Sequence, residues 1–258
     1  MTHQEWPARD YAIGSFIQAT VSNQYIEELA LQSNDTVLDI GCGNGGYAIK
    51  LFKKSPVAAY VGFDASENML QLAREGARAY PQMSFVQGDW LQMPFQQQFD
   101  YIISFWCLQW MSHDIVRAFE NIYHALKPQG KFFTLFPTGD DPLMNTYRAI
   151  KASKQFSSLS HFMPPVDYDV MQNLEEKLQP LAFRQLVVER CHAQIVLPSL
   201  QTFRQFLSGV PFYQGQVPEA DIPLLYDAMT AVYQSECERQ HAGTLVFAFT
   251  VFKVTGSR

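Results

Sequence analysis

Three carboxylates and a cluster of glycines carry the clearest chemical potential in this 258-residue chain. Val37-Leu38-Asp39-Ile40 reads as a buried strand and runs directly into Gly41-Cys42-Gly43-Asn44-Gly45-Gly46. Glycines so spaced make a tight turn whose backbone N–H groups can approach a ligand closely. Asp64 closes the next apolar run, where an acid can accept both hydroxyls of a ribose. In Gly88-Asp89-Trp90, Asp89 can accept from an exocyclic adenine amine with Trp90 beside the ring. Ser104 ends a further apolar run. Gly41, Gly43 and Gly46 satisfy G-x-G-x-x-G, which keeps a dinucleotide open. The carboxylates themselves are used up by one adenosine.

These residues need a scaffold that gathers strand ends at one edge. Strand and helix signals alternate from Thr36 to about Pro137. Strands are expected near 36–40, 57–63, 84–87, 101–105 and 131–136, with helices at 48–53, after Ser66, and at 115–126. Lys127-Pro128-Gln129-Gly130 is expected to stop the last of these helices. Such alternation means a parallel sheet with right-handed crossovers, whose ligands sit at the carboxyl ends of the strands. The second half changes character. An irregular region opens at Thr138, and helices are expected at 170–178, 202–207 and 222–239. Strands at 183–196 and 245–254 fit an antiparallel pair completing the sheet. The fold expected is α/β, a Rossmann-like seven-stranded sheet with helices on both faces. Residues 1–258 would form one domain, with helical cap segments at about 138–180 and 199–240. The cap rings Phe156, Phe162, Phe203, Phe206, Phe212 and Tyr213 either receive an apolar substrate tail or pack the cap onto the sheet.

Composition removes several classes of function. Apolar residues are 47% of the chain, so a folded core is expected. A net charge of −6 with no basic run argues against nucleic-acid binding. The cysteines at 42, 107, 191 and 237 are widely spaced and the six histidines lack ligand spacing, so neither a metal site nor a disulfide framework is expected. No stretch approaches about 18 apolar residues, and Met1–Pro7 has neither a basic start nor an apolar region. A cytoplasmic protein without a membrane span is the expectation.

The motifs taken in order resemble those of the class I S-adenosylmethionine-dependent methyltransferases. The matching pieces are residues 37–45, Asp64-Ala65-Ser66-Glu67-Asn68-Met69-Leu70, Gly88-Asp89-Trp90, Phe99-Asp100-Tyr101-Ile102-Ile103-Ser104 and Leu126-Lys127-Pro128-Gln129-Gly130. Gln129 departs from the family, which usually carries glycine there. Ser104-Phe105-Trp106-Cys107-Leu108-Gln109-Trp110, together with Tyr11 and Gln18, looks like the juvenile hormone acid, trans-aconitate and malonyl-carrier-protein methyltransferases. The resemblance implies that Tyr11, Asp39, Gly41, Gly43, Asp64, Ala65, Met69, Asp89, Trp90 and Ser104 hold S-adenosylmethionine. It also implies a small-molecule or acyl-carrier-linked carboxylate as acceptor.

That chemistry asks little of the protein. A carboxylic acid has a pKa near ~4, so the nucleophile is already ionised at neutral pH and no general base is required. Gln18 and Trp110 can both donate hydrogen bonds to a carboxylate, and their task would be orientation. The competing expectations are N- or C-methylation of a metabolite, a catalytically silent cofactor-binding module, and, more distantly, a dehydrogenase.

Overall fold

In the computed structural model, which describes residues 6, 11, 15–93 and 95–258, strands and helices alternate through the first half of the chain. Helix α1 (Phe16–Ser22) leads into a 3-10 turn, Asn23–Leu29. It is followed by β1 (Thr36–Ile40), α2 (Gly46–Lys54), β2 (Ala59–Asp64), α3 (Glu67–Gly76) and β3 (Met83–Gln87). Next come β4 (Phe99–Phe105), α4 (Ile115–Ala125) and β5 (Leu126–Pro137). The second half holds α5 (Pro142–Ser153), α6 (Leu174–Leu178), β6 (Arg184–Val196), α7 (Leu200–Gly209), α8 (Ile222–His241) and β7 (Val246–Ser257).

The seven strands form one sheet in the order β3-β2-β1-β4-β5-β7-β6. Strands β1 to β5 pair in parallel, and β7 runs antiparallel to both β5 and β6. This is the Rossmann-like sheet with an antiparallel last pair. The order reverses between β1 and β4, which places the switch point at their carboxyl ends. Alternation along the strands feeds two cores. Val37 and Ile103 pack on one face with Leu51 of α2 and the rings of 203–249, whereas Leu38 and Ile102 pack on the other with Phe119 and Ile122 of α4.

Three segments differ from the sequence expectation. The stretch 170–178 is a 3-10 turn (Asp169–Met171) followed by α6, not one helix. The region after Thr138, read as irregular, contains α5. Asp141 caps it by accepting from Met144 N–H at 2.9 Å, Pro142 occupies its first turn, and Leu143, Met144, Tyr147 and Ile150 are buried at helical spacing. Finally, Lys127–Gly130 is an excursion inside β5, between the pairs Phe99↔Leu126 and Tyr101↔Lys131. Arg258 secures it, donating its N–H to Gly130 O and accepting from Gln129 N–H. Gln129 has φ +70°, the conformation that favours glycine.

Candidate active site

The glycine turn continues β1 past its carboxyl end. Gly41 has φ +76°, and a Cβ there would lie 2.3 Å from Cys107 Cβ, so only glycine fits. Gly43 and Gly45 also have positive φ, whereas Gly46 opens α2. The working spacing is therefore Gly41, Gly43, Gly45. Gly43 donates its N–H to Asp64 Oδ2 at 2.9 Å, and Ser66 N–H donates to Asp64 Oδ1 at the same distance. The turn and the carboxylate at the end of β2 are thus held as a unit. Ser66 Oγ caps α3 by accepting from Met69 N–H; the Met69 side chain is buried beneath, while Ala65 is exposed. At the end of β3, Asp89 accepts from Leu91 N–H at 2.9 Å and from Gln92 Nε2 at 3.2 Å.

Asp39 is buried inside β1 and accepts from the Tyr60 hydroxyl at 2.7 Å. Burial pushes its carboxyl up to about 7; the Tyr60 bond opposes this and the Asp64 charge adds to it. Burial also raises the Cys42 and Cys107 thiols, so both stay protonated and unreactive at neutral pH.

Two cavities meet at this edge. One, of about 250 Å³, is lined by Tyr11, Gln18, Asp39, Gly41, Tyr47 and Trp106 among others. The buried Tyr47 hydroxyl in its wall has no partner among the described residues. The second, of about 60 Å³, is mostly apolar, and Trp110, Gln109, Asp141, Tyr168, Phe206 and Phe249 contribute to it. Gln18 and Trp106 line both. Trp106 is fixed at this partition by donating its indole N–H to Ser22 Oγ at 2.8 Å and to Gln18 O at 3.2 Å. It sits at φ +60°, an unfavourable conformation for a bulky residue that costs on the order of 1–3 kcal/mol and concentrates at working sites. Trp110 stacks edge-on against Trp6, which stacks edge-on against Tyr11, so one aromatic chain runs from one cavity to the other.

The structure brings Tyr11, Gln18, Asp39, Gly41 and Trp110 to these cavities, and ties Gly43 to Asp64 beside them. Two of the expected cofactor-binding residues have side chains turned into the core. The Trp90 ring is 4% exposed, packs edge-on against Phe63 and donates its N–H to Ala118 O at 2.9 Å. It is committed to the core beneath α4 rather than lying free beside a ligand ring. Ser104 is fully buried, and its hydroxyl donates to Ile40 O at 2.9 Å, joining β4 to the end of β1. Its side chain therefore locks the switch point together. Among the cap rings, Phe206 and Phe212 line the apolar cavity, whereas Phe203 stacks on Tyr233 with centroids 4.2 Å apart, purely as packing. Tyr47, Gln109, Asp141 and Tyr168 were not singled out from the sequence, whereas Trp106 was left open between packing the cofactor and packing the core. Gln109 stood inside a quoted motif, and Asp141 lay in a segment read as irregular, where only its place before Pro142 could have marked it as a cap.

Known proteins resemble this arrangement. A family model described as a methyltransferase domain matches residues 37–130. The 235L protein of Invertebrate iridescent virus 6 is 29% identical over 178 residues, 65% of this chain and 64% of that protein. The malonyl-[acyl-carrier protein] O-methyltransferase of Priestia megaterium is 28% identical over 208 residues, 76% of this chain and 74% of that protein. The chain thus spans just under two-thirds of the first relative and about three-quarters of the second. In fold, it is similar to phosphoethanolamine N-methyltransferase 2 of Haemonchus contortus solved with S-adenosyl-L-methionine. The TM-score there is 0.58 at 20% identity, covering 93% of this chain and 52% of that one.

Proposed function

On the premise that this chain belongs to the class I S-adenosylmethionine-dependent methyltransferases, we propose that it methylates a carboxylate oxygen of a small or acyl-carrier-linked acid. The residues present fit the cofactor. The glycine turn offers a cradle without Cβ atoms, Asp64 stands at the end of β2 for a ribose, Asp89 stands just past β3 for an adenine amine, and the Tyr47 hydroxyl, without a partner among the described residues, lies in the wall. When bound, S-adenosylmethionine supplies an electrophilic methyl group on a positively charged sulfur.

The observation that carries the acceptor reading is Gln18 at the boundary of the two cavities. Its amide oxygen is buried without a partner among the described residues, so no protein bond to that oxygen holds the amide in one orientation, and its NH₂ can be turned to a ligand at the boundary. Trp110 stands on the apolar side, in the wall of the smaller cavity. An amide NH₂ and an indole N–H can together hold a carboxylate in line for displacement. Trp106 partitions the cavities, and the apolar walls exclude water from the transfer. The names of curated relatives, which act on malonyl-carrier protein, juvenile hormone acid and trans-aconitate, support a carboxylate acceptor.

We read residues 1–258 as one methyltransferase domain with caps at about 138–180 and 199–240. The four free cysteines support a cytoplasmic setting. No helix among the described residues is long and apolar enough to cross a membrane. The test is kinetic. Gln18→Ala and Trp110→Phe should each lower kcat/KM for an accepted acid by about 10–100-fold while leaving cofactor affinity near wild type. Unchanged turnover in both variants would remove the two residues from the acceptor site.

A further inference from the structure

Gln109 is the second amide in the acceptor cavity that the protein does not satisfy. It is 5% exposed, follows β4 in the 3-10 turn Leu108–Asp114, and donates Nε2 to Trp106 O at 2.7 Å. A carbonyl oxygen only accepts, so this bond fixes the orientation of the amide: the nitrogen is committed and the uncommitted end is an acceptor. That end, Oε1, is buried with no partner among the described residues. A buried acceptor left bare is costly and is kept where a ligand completes it. The same cavity wall holds Asp141, a second buried acceptor, whose carboxyl is pushed up to about 6 by burial despite the N–H groups of Met144 and Leu143 and the nearby Arg148. These buried acceptors call for a hydrogen-bond donor on the acceptor molecule in addition to its carboxylate.

Resting on the carboxylate reading above, we propose that Gln109 is a specificity-determining residue and that the acceptor is a hydroxy acid whose hydroxyl donates to Gln109 Oε1. A site built to pair a hydroxyl rejects the analogue lacking it far more strongly than an apolar pocket rejects a missing methylene, because the buried partner is left bare.

The test uses the whole enzyme with S-adenosylmethionine and matched acids: 3-hydroxyoctanoate and 8-hydroxyoctanoate against octanoate, and 3-(4-hydroxyphenyl)propanoate against 3-phenylpropanoate and its 4-methoxy analogue. At least one hydroxy acid should exceed its deoxy parent by about tenfold or more in kcat/KM, and the methoxy compound, an acceptor only, should behave like the parent. Gln109→Leu and the more flexible Gln109→Met should bring the hydroxy and deoxy acids within about threefold of each other. Calorimetric titration of the same acids with S-adenosylhomocysteine bound should give the same ratios without turnover. Parity of each hydroxy acid with its parent in wild type, or a preference that survives both substitutions, overturns this inference and leaves carboxylate methylation standing. Methylation of none of these acids overturns both.

Discussion

Asp39 and Asp64 stand on neighbouring strands of the sheet, β1 and β2, in different surroundings. Asp64 accepts two backbone N–H bonds, from Gly43 and Ser66, that fix its carboxylate at the end of β2. Asp64→Ala should weaken S-adenosylmethionine binding by about 10–100-fold in calorimetry, the range expected for losing charge-assisted hydrogen bonds. An unchanged affinity would remove it from the site. Asp39 is raised from an ordinary value of 3.8 to about 7. Because the folded state then binds the proton more tightly than the unfolded chain, stability is fullest at low pH and falls as pH rises from about 4 to about 7. Asp39→Asn keeps an acceptor for Tyr60 but removes the charge. It should raise Tm at pH 8, by roughly 2–4 °C for each kcal/mol recovered, with the gain shrinking toward pH 5. Cofactor affinity should fall in the same variant. Equal Tm gains at both pH values would contradict the assignment. Both carboxylates drew notice in the sequence because Asp64 closes an apolar run and Asp39 is the lone charge within one. The side chains of Trp90 and Ser104 were not placed by the pattern, because a residue at a strand end can point into the core as readily as toward the ligand.

At the level of elements, the alternating half was readable because each apolar run has a single way to be buried in a parallel sheet. Motif residues Asp100 and Lys127 explain themselves structurally: Lys127 Nζ reaches Asp100 Oδ2 at 2.7 Å and Thr36 N–H reaches it at 2.9 Å, tying the start of β4 to β5 and β1. Burial opposes ionisation of Asp100, but these bonds win and hold its carboxyl below the usual range. Helix α5 was missed because its cap, Asp141-Pro142, sits among turn-forming residues, and its apolar stripe is interrupted by Asn145 and Arg148. Gln129 carries a departure from the family with a measurable cost. Its left-handed conformation disfavours a side chain by about 1–2 kcal/mol, partly offset by the entropy glycine loses. Gln129→Gly should therefore stabilise the fold by roughly 0.5–1 kcal/mol in urea unfolding, with the m-value and methyl transfer unchanged. A loss of stability would show that the Gln129 side chain makes contacts that outweigh the strain.

The whole molecule adds what no local pattern contains: two cavities that share Gln18 and Trp106. Gln18 is in an N-terminal helix, Trp106 follows the fourth strand, Asp141 caps the fifth helix, and Phe206 and Phe249 come from the cap and the last strand. Their meeting is set by tertiary packing over more than 200 residues, so sequence spacing named Gln18 and Trp110 only through family resemblance. The central claim is methyl transfer to a carboxylate, and the lability of the product tests it most directly. The enzyme is incubated with methyl-labelled S-adenosylmethionine and a panel of free and carrier-linked acids, and the product is treated with mild alkali. A carboxylate acceptor predicts label released as volatile methanol, as expected for an ester. Label that stays on the product in alkali, as an N- or C-methyl group would, or no transfer to any acid, would contradict the account.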